Sequence, residues 1–123
     1  MGFLKSLMSV ISTDGKTGTP FKLDNNHSVY YKGNGLTKLD AASVAGFYKG
    51  YGYFTDTSQS DIQIISNNTV DPIRVGYIIG GQDVSPETEE IFKNAGPGLQ
   101  DLFPGRSISF HLLDVNLKEL RSL

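Results

Sequence analysis

The chain contains no cysteine, and this absence excludes disulfide bonds, thiol nucleophiles and cysteine-ligated metals. Its two histidines, His27 and His111, are too few for a dedicated zinc or iron site, so we expect no metal and no cofactor. No run of about 18 apolar residues is present, so the sequence predicts no membrane-spanning helix. The formal net charge is −2, without the basic excess of phosphate-binding proteins, and we therefore expect no nucleic-acid partner.

The sequence is rich in glycine and small polar residues, which predict long loops around a single core. With 123 residues, the chain fits a single domain. Residues 1–12 place apolar side chains near helical spacing, and the residues that follow, up to Pro20, are rich in turn formers. We therefore divide the chain into an N-terminal amphipathic segment with its linker, residues 1–19, and one α+β domain, residues 20–123. We expect the segment to form a short helix that docks on the domain or on a partner, with peripheral membrane contact through residues 1–12 left open.

Alternating β-branched and aromatic residues predict four strands in the domain. The second and third of these strands, joined by Asn67-Asn68-Thr69, are interpreted as a hairpin. The tail, residues 115–123, is expected to form a last helical turn or to fray. The four predicted strands cover residues 28–32, 61–66, 73–79 and 107–114.

Two helices are predicted from their start and stop signals. Thr37 is a candidate N-cap for the first helix, which ends at the glycines that follow residue 49. The second helix begins after Ser85, with Pro86 at the first helical position. The stretch Gly96-Pro97-Gly98 is expected to break or kink it, because proline removes a backbone donor.

The predicted order β-α-β-β-α-β is typical of the ferredoxin-like arrangement. We therefore expect a four-stranded antiparallel sheet with both helices on one face, plus the short N-terminal amphipathic helix. Because side chains alternate along a strand, the other face would be mixed in character and uncovered unless the N-terminal helix packs on it. An exposed apolar patch usually marks an interaction site, so we expect a homodimer or another protein partner there. The candidate contact residues on this face are Tyr30, Arg74, Ile78, His111 and Leu113.

The glycine-punctuated loop before the first helix is the alternative candidate site. A glycine-rich loop at a helix N-terminus can bind phosphate, but no lysine stands in the P-loop position here and no GxGxxG is present. We interpret the glycines as a turn that requires positive φ. The alternative function is a small-molecule effector site of the kind found in ACT regulatory domains, formed by Gly33, Asn34, Gly35 and Thr37.

Two other classes of function find little support. The stretch VYYKGNGL is similar to the first-strand signature of the RRM family, but the third strand offers no aromatic residue on the open side for base stacking. His111 and Asp114 are three residues apart, which on a strand places them on opposite faces. The chain has no GxSxG motif and no visible set of acid, base and nucleophile, so we expect no enzyme.

The combination of VYYKG, a capped helix ending in GYGYF, a strand hairpin and the terminal FHLLD-x-x-LKEL resembles a small uncharacterised bacterial α+β domain family, over roughly residues 26–120. Such domains occur alone or appended to other proteins. The resemblance implies no catalytic residues, and it implies a bacterial, cytoplasmic protein. The break at residues 96–98 departs from that family's continuous second helix. The sequence thus predicts a non-enzymatic protein-interaction or regulatory module that acts through the uncovered sheet face and the N-terminal helix.

Overall fold

The computed structural model describes residues 18–33, 35–55, 60–79 and 83–123. The predicted N-terminal helix therefore lies outside the described residues. The elements are β1 (Thr19–Lys22), β2 (His27–Gly33), α1 (Lys38–Tyr51), β3 (Ser60–Ser66), β4 (Ile73–Ile78), α2 (Pro86–Lys93), α3 (Gly96–Leu102), β5 (Ile108–Leu113) and β6 (Glu119–Ser122).

The strands form one six-stranded mixed sheet in the order β1-β2-β3-β4-β5-β6. Neighbours β2 and β3 are parallel, as are β4 and β5, and the other three pairs are antiparallel. The predicted four-stranded antiparallel ferredoxin-like sheet is therefore wrong. In that fold a strand lies between the two strands that each helix connects, whereas here each helical connection joins direct neighbours.

The two edge strands were not predicted, because each is only four residues long. The predicted linker ends at Pro20, inside the β1 segment TPFK, and no element is predicted for the rest of that segment; the β6 segment ELRS lies in the predicted helical or frayed tail. So short a segment shows no clear alternation, and its strand form depends on the neighbour with which it pairs.

All three helices lie on one side of the sheet, as a single buried tyrosine shows. The Tyr77 hydroxyl of β4 lies 2.7 Å from the Tyr48 hydroxyl of α1 and donates to the Phe92 carbonyl of α2 at 3.0 Å. The α3 residue Leu99 is fully buried in the same core. The core residues of the strands alternate with period two; those with at most 1% exposure are Val29, Ile62, Ile64, Ile73, Val75, Tyr77 and Leu112.

The two helical crossovers have opposite hand. The connection from β2 to β3 and the connection from β4 to β5 step the same way across the sheet, but β2 and β4 run in opposite directions. Because both connections lie on the same side, one of them is left-handed. That hand occurs in only about 2% of such parallel connections.

Local signals in the sequence explain where the helices begin and end. Thr37 and Ser85 accept hydrogen bonds from backbone N–H groups of the first turns of α1 and α2, and Gly52 ends α1 with φ 90°. The predicted break of the second helix is confirmed, since α3 starts anew at Gly96 with proline in its first turn. Within the described ranges, none of the helices combines the length and apolar character needed to cross a membrane.

Candidate functional site on the open sheet face

The side of the sheet opposite the helices, which we call the open face, is defined by the strand register. Residues that are paired across neighbouring strands share a face, so three rows of side chains cross the open face. The structure places Gln63 and Ile65 here, and Ile62 and Ile64 against the helices. The rows are Lys32–Ile65–Arg74–Ser109, Tyr30–Gln63–Gly76–His111 and Ser28–Asp61–Ile78–Leu113.

All five residues predicted to contact a partner lie on the open face, but they differ in accessibility. Tyr30, Arg74 and Ile78 are half-buried, whereas His111 and Leu113 are only 7% and 5% exposed. Leu113 is buried partly because its side chain lies over Gly76, where a Cβ atom would collide with it. Their role in binding a partner stays a prediction.

Of the effector-loop candidates, Gly33, Gly35 and Thr37 are described and Asn34 lies outside the described residues. The predicted turn is confirmed, since Gly33 and Gly35 have φ of 108° and 79°. The Thr37 N–H donates to Asp40 Oδ2 at 2.9 Å, and the Asp40 N–H donates to Thr37 Oγ1 at 3.3 Å. The Asp40 carboxylate thus already lies at the positive end of α1, where an anionic effector would bind. The loop geometry therefore gives the predicted effector site no support.

Four polar side chains from β4, β5 and β6 meet on the open face, and we call them the polar cluster: Arg74, Ser109, His111 and Glu119. The Ser109 hydroxyl lies 2.9 Å from His111 Nε2. His111 Nδ1 lies 3.0 Å from Glu119 Oε1, which also accepts from the Arg74 guanidinium at 2.6 Å. The cluster therefore links a hydroxyl, an imidazole, a carboxylate and a guanidinium in one chain of contacts.

The environment of His111 favours its neutral form. Burial lowers the pKa of His111, and the nearby Arg74 charge lowers it further, while Glu119 opposes both effects. The contact from His111 Nδ1 to Glu119 is short but too poorly directed to count as a hydrogen bond. At neutral pH the imidazole is therefore uncharged, with one nitrogen facing the serine hydroxyl and the other facing the carboxylate.

A cavity of about 150 Å³ opens beside the polar cluster. His111, Arg74 and Glu119 line one part of it, and Leu113 and Leu117 contribute apolar surface. Leu117 belongs to the turn between β5 and β6, so this turn forms part of the cavity wall. Within the described ranges, no group of three or more His, Asp or Glu side chains could hold a metal ion.

At the other end of the open face, Lys22, Tyr30 and Lys32 form what we call the basic strip. Lys22 of β1 pairs with Ser28, which places it beside Tyr30 on the open face. Neither ammonium group forms an ion pair with another described residue. Burial raises the pKa of the Tyr30 hydroxyl, and the Asp61 charge raises it further, so Tyr30 is neutral at physiological pH.

A second cleft, of about 160 Å³, lies on the helix side between α1 and α2. The Tyr51 hydroxyl donates to the Ile91 carbonyl at 2.7 Å and so joins the two helices. Burial raises the pKa of Tyr53, which lines this cleft, to about 12. Aromatic and aliphatic side chains line the cleft, and none of the predicted site residues belongs to it.

Neither Ser109 nor Glu119 is among the site residues predicted from the sequence. Ser109 and His111 are two apart on a predicted strand, so their shared face was visible in the sequence. Glu119 was not, because it belongs to β6, a strand that the sequence does not predict. Only the pairing of β6 with β5 brings the carboxylate to the histidine.

No family model matches the sequence, and neither a curated protein nor a solved structure matches it. The resemblance to a bacterial α+β domain family therefore stays a prediction.

Proposed function

We propose that the protein is an interaction module that binds an acidic protein surface through the basic strip. The observation that carries this proposal is that Lys22 and Lys32 flank Tyr30 on a sheet face opposite the helices, in a chain whose net charge is −2. A bacterial, cytoplasmic location and a contribution of residues 1–12 to binding, both inferred from the sequence, belong to the same proposal.

The charges of the open face do not cancel at the basic strip. Arg74 is paired with Glu119, and the Asp61 carboxylate, which accepts a hydrogen bond from the Ser28 N–H at 3.0 Å, interacts electrostatically with Lys22. Two lysines against this one carboxylate leave a net positive charge at this end of the face. A local patch of one sign steers partners of the opposite sign and excludes partners of like charge.

Tyr30 supplies the apolar contact area that a charged patch lacks. Its ring is half-buried between the two lysines, and Ile65 and Ile78 are half-buried on the same face. Tyrosine is enriched among the residues that contribute most to binding energy at protein interfaces. We therefore assign Tyr30 the role of anchor and the lysines the role of orienting the partner.

Two other partners fit this surface less well. Single-stranded nucleic acids stack their bases on several aromatic side chains. Among the described strands, the open face offers Tyr30 for such stacking, because Tyr31, Tyr77 and Phe110 face the helices. In a symmetric dimer through this patch, the lysines of one copy would face those of the other, and like charges would repel. Neither objection applies to an acidic partner protein.

The test uses peptides of defined composition, each with one leucine or phenylalanine flanked by aspartate and glutamate, and the same peptides with lysine at the flanking positions. Fluorescence anisotropy should show that the full chain prefers the acidic set, with affinity that falls as salt is added. Lys32→Glu should weaken this binding about tenfold, equivalent to about 1.4 kcal/mol, and Tyr30→Ala should weaken it at least as much.

Lys49→Glu is the matched control, since Lys49 is an exposed lysine on α1, away from the open face. It should leave peptide binding unchanged. Equal affinity for acidic and basic peptides, or equal effects of Lys32→Glu and Lys49→Glu, would contradict the proposal. Tighter binding to a single-stranded oligonucleotide, or a dimer by light scattering that Lys32→Glu leaves intact, would replace it with one of the other partners.

A further inference from the structure

The polar cluster has the atomic order of a nucleophilic site. Ser109 Oγ contacts His111 Nε2 at 2.9 Å, and His111 Nδ1 contacts Glu119 Oε1 at 3.0 Å. A hydroxyl on one ring nitrogen and a carboxylate on the other is the arrangement by which an imidazole activates a serine. The same three residue types in another order would not do this.

The carboxylate at Nδ1 selects the useful tautomer of His111. A proton on Nδ1 faces the negative Glu119, which leaves the Nε2 lone pair to accept the Ser109 proton. The Nδ1 contact is poorly directed here, and catalytic hydrogen bonds are often long or misaligned until a substrate binds. The lowered pKa of His111 keeps Nε2 unprotonated at neutral pH, as a general base requires.

A positive charge and a small cavity lie next to the pair formed by Ser109 and His111. Arg74 is the direct cross-strand neighbour of Ser109, and its guanidinium, which donates to Glu119 Oε1 at 2.6 Å, has further N–H donors for the negative charge that develops on a carbonyl oxygen. The cavity of about 150 Å³ is lined by His111, which contacts Ser109, and by Arg74 and Ile65 of the same row, whereas Ser109 itself borders the cavity only through these neighbours. A cavity of about that size holds one benzene molecule, which limits the acyl group to a few carbon atoms.

We propose that Ser109 is an activated nucleophile that accepts a small acyl group from an activated ester or thioester. Ser109 Oγ forms a bond to the carbonyl carbon while its proton passes to His111 Nε2. The bond from that carbon to the leaving oxygen or sulfur breaks, and the leaving group takes the proton from His111. Water then attacks the acyl carbon and gives a proton to His111 Nε2, and the bond to Ser109 Oγ breaks as Oγ takes that proton back and the acid is released.

This inference is independent of the proposed function, because it depends on the polar cluster and not on the basic strip. The test incubates the full chain with p-nitrophenyl acetate and, separately, with a fluorophosphonate probe. Intact-mass and peptide mass spectrometry should find one adduct, on Ser109. The rate should fall as pH drops through the pKa of His111, which lies below its ordinary value of 6.5, because the imidazole then becomes protonated.

Three variants and one control make the result decisive. Ser109→Ala should abolish the adduct, and His111→Gln and Glu119→Gln should each slow acylation about 10²-fold or more. Ser122→Ala is the matched control, since Ser122 pairs with His111 from β6 but is not part of the chain of contacts, and it should react as the wild type does. If His111→Gln fails to fold, Glu119→Gln and the pH profile still report on the base. No adduct on wild-type Ser109, or a rate that neither Glu119→Gln nor pH changes, would overturn the inference.

Discussion

Two glycines of the loop before α1 show how much the surroundings of a single residue matter. Gly33 and Gly35 both have positive φ, a conformation that side-chain-bearing residues rarely adopt. A Cβ atom on Gly33 would overlap the backbone carbonyl of Ser66 in β3, whereas a Cβ atom on Gly35 would meet nothing within 4 Å. The sequence predicts the positive φ at both positions, but only the pairing of β2 with β3 distinguishes them.

We expect Gly35→Ala to lower the free energy of unfolding by about 1–2 kcal/mol, the cost of a left-handed conformation for an L-residue. Gly33→Ala carries the same conformational cost and must also separate two paired strands, so we expect it to cost at least about 2 kcal/mol more. Urea denaturation followed by circular dichroism measures both. Equal losses for the two variants would show that the close approach of Gly33 to Ser66 is not structurally important.

At the level of elements, the helices and the four inner strands follow from local chemistry. The capping residues Thr37 and Ser85 and the alternation within each inner strand indicate these elements without any tertiary information. Strands β1 and β6 cannot be predicted from local chemistry, because each is only four residues long and lies at an edge of the sheet. Proline at position 20, which cannot donate to a further strand, suits β1 to that edge.

The capping box of α1 gives a test at this scale. Thr37→Ala removes the acceptor of the Asp40 N–H and should lower the free energy of unfolding by about 1 kcal/mol. Thr37→Ser keeps a hydroxyl at the same place, and because serine caps helices at least as well as threonine, it should leave the free energy of unfolding nearly unchanged. Urea denaturation measures both variants. A loss for serine as large as that for alanine would mean that the threonine methyl group, and not the cap, stabilises this turn.

At the scale of the whole molecule, the order and direction of the strands determine what the open face contains. Parallel pairing of β4 with β5 brings Arg74 next to Ser109, and antiparallel pairing of β5 with β6 adds Glu119. The predicted ferredoxin-like order would have separated these groups. The cluster is therefore a product of the mixed topology of the sheet.

The same cluster predicts how the stability of the whole protein depends on pH. The pKa of His111 is lowered from 6.5 by burial and by Arg74 of β4, against the opposing effect of Glu119 of β6. Below pH 6.5 the unfolded chain therefore binds a proton at His111 before the folded chain does. The free energy of unfolding therefore decreases as pH falls from 6.5 towards the pKa of His111 in the folded protein. Above pH 6.5 His111 is neutral in both states and contributes no pH dependence.

Thermal unfolding of the wild type and of His111→Gln between pH 5 and pH 8 tests this dependence. The difference in melting temperature between the two proteins should be constant above about pH 6.5. Below that pH, the wild type should lose stability relative to His111→Gln. Contributions of groups that are distant from His111 cancel in this difference. A difference that is independent of pH, or one that shifts in favour of the wild type at low pH, would show that His111 is not held neutral.

Residue types and their spacing along the chain were enough to predict the inner strands, the two capped helices and the alternation that puts Tyr30, Arg74 and His111 on one face. These properties depend on neighbours within a few residues, and local propensity and period determine them. Strand order, the two edge strands and the meeting of Glu119 with His111 depend on pairings between distant segments. The free energies of such pairings depend on packing across the whole sheet, so no short stretch of sequence contains them.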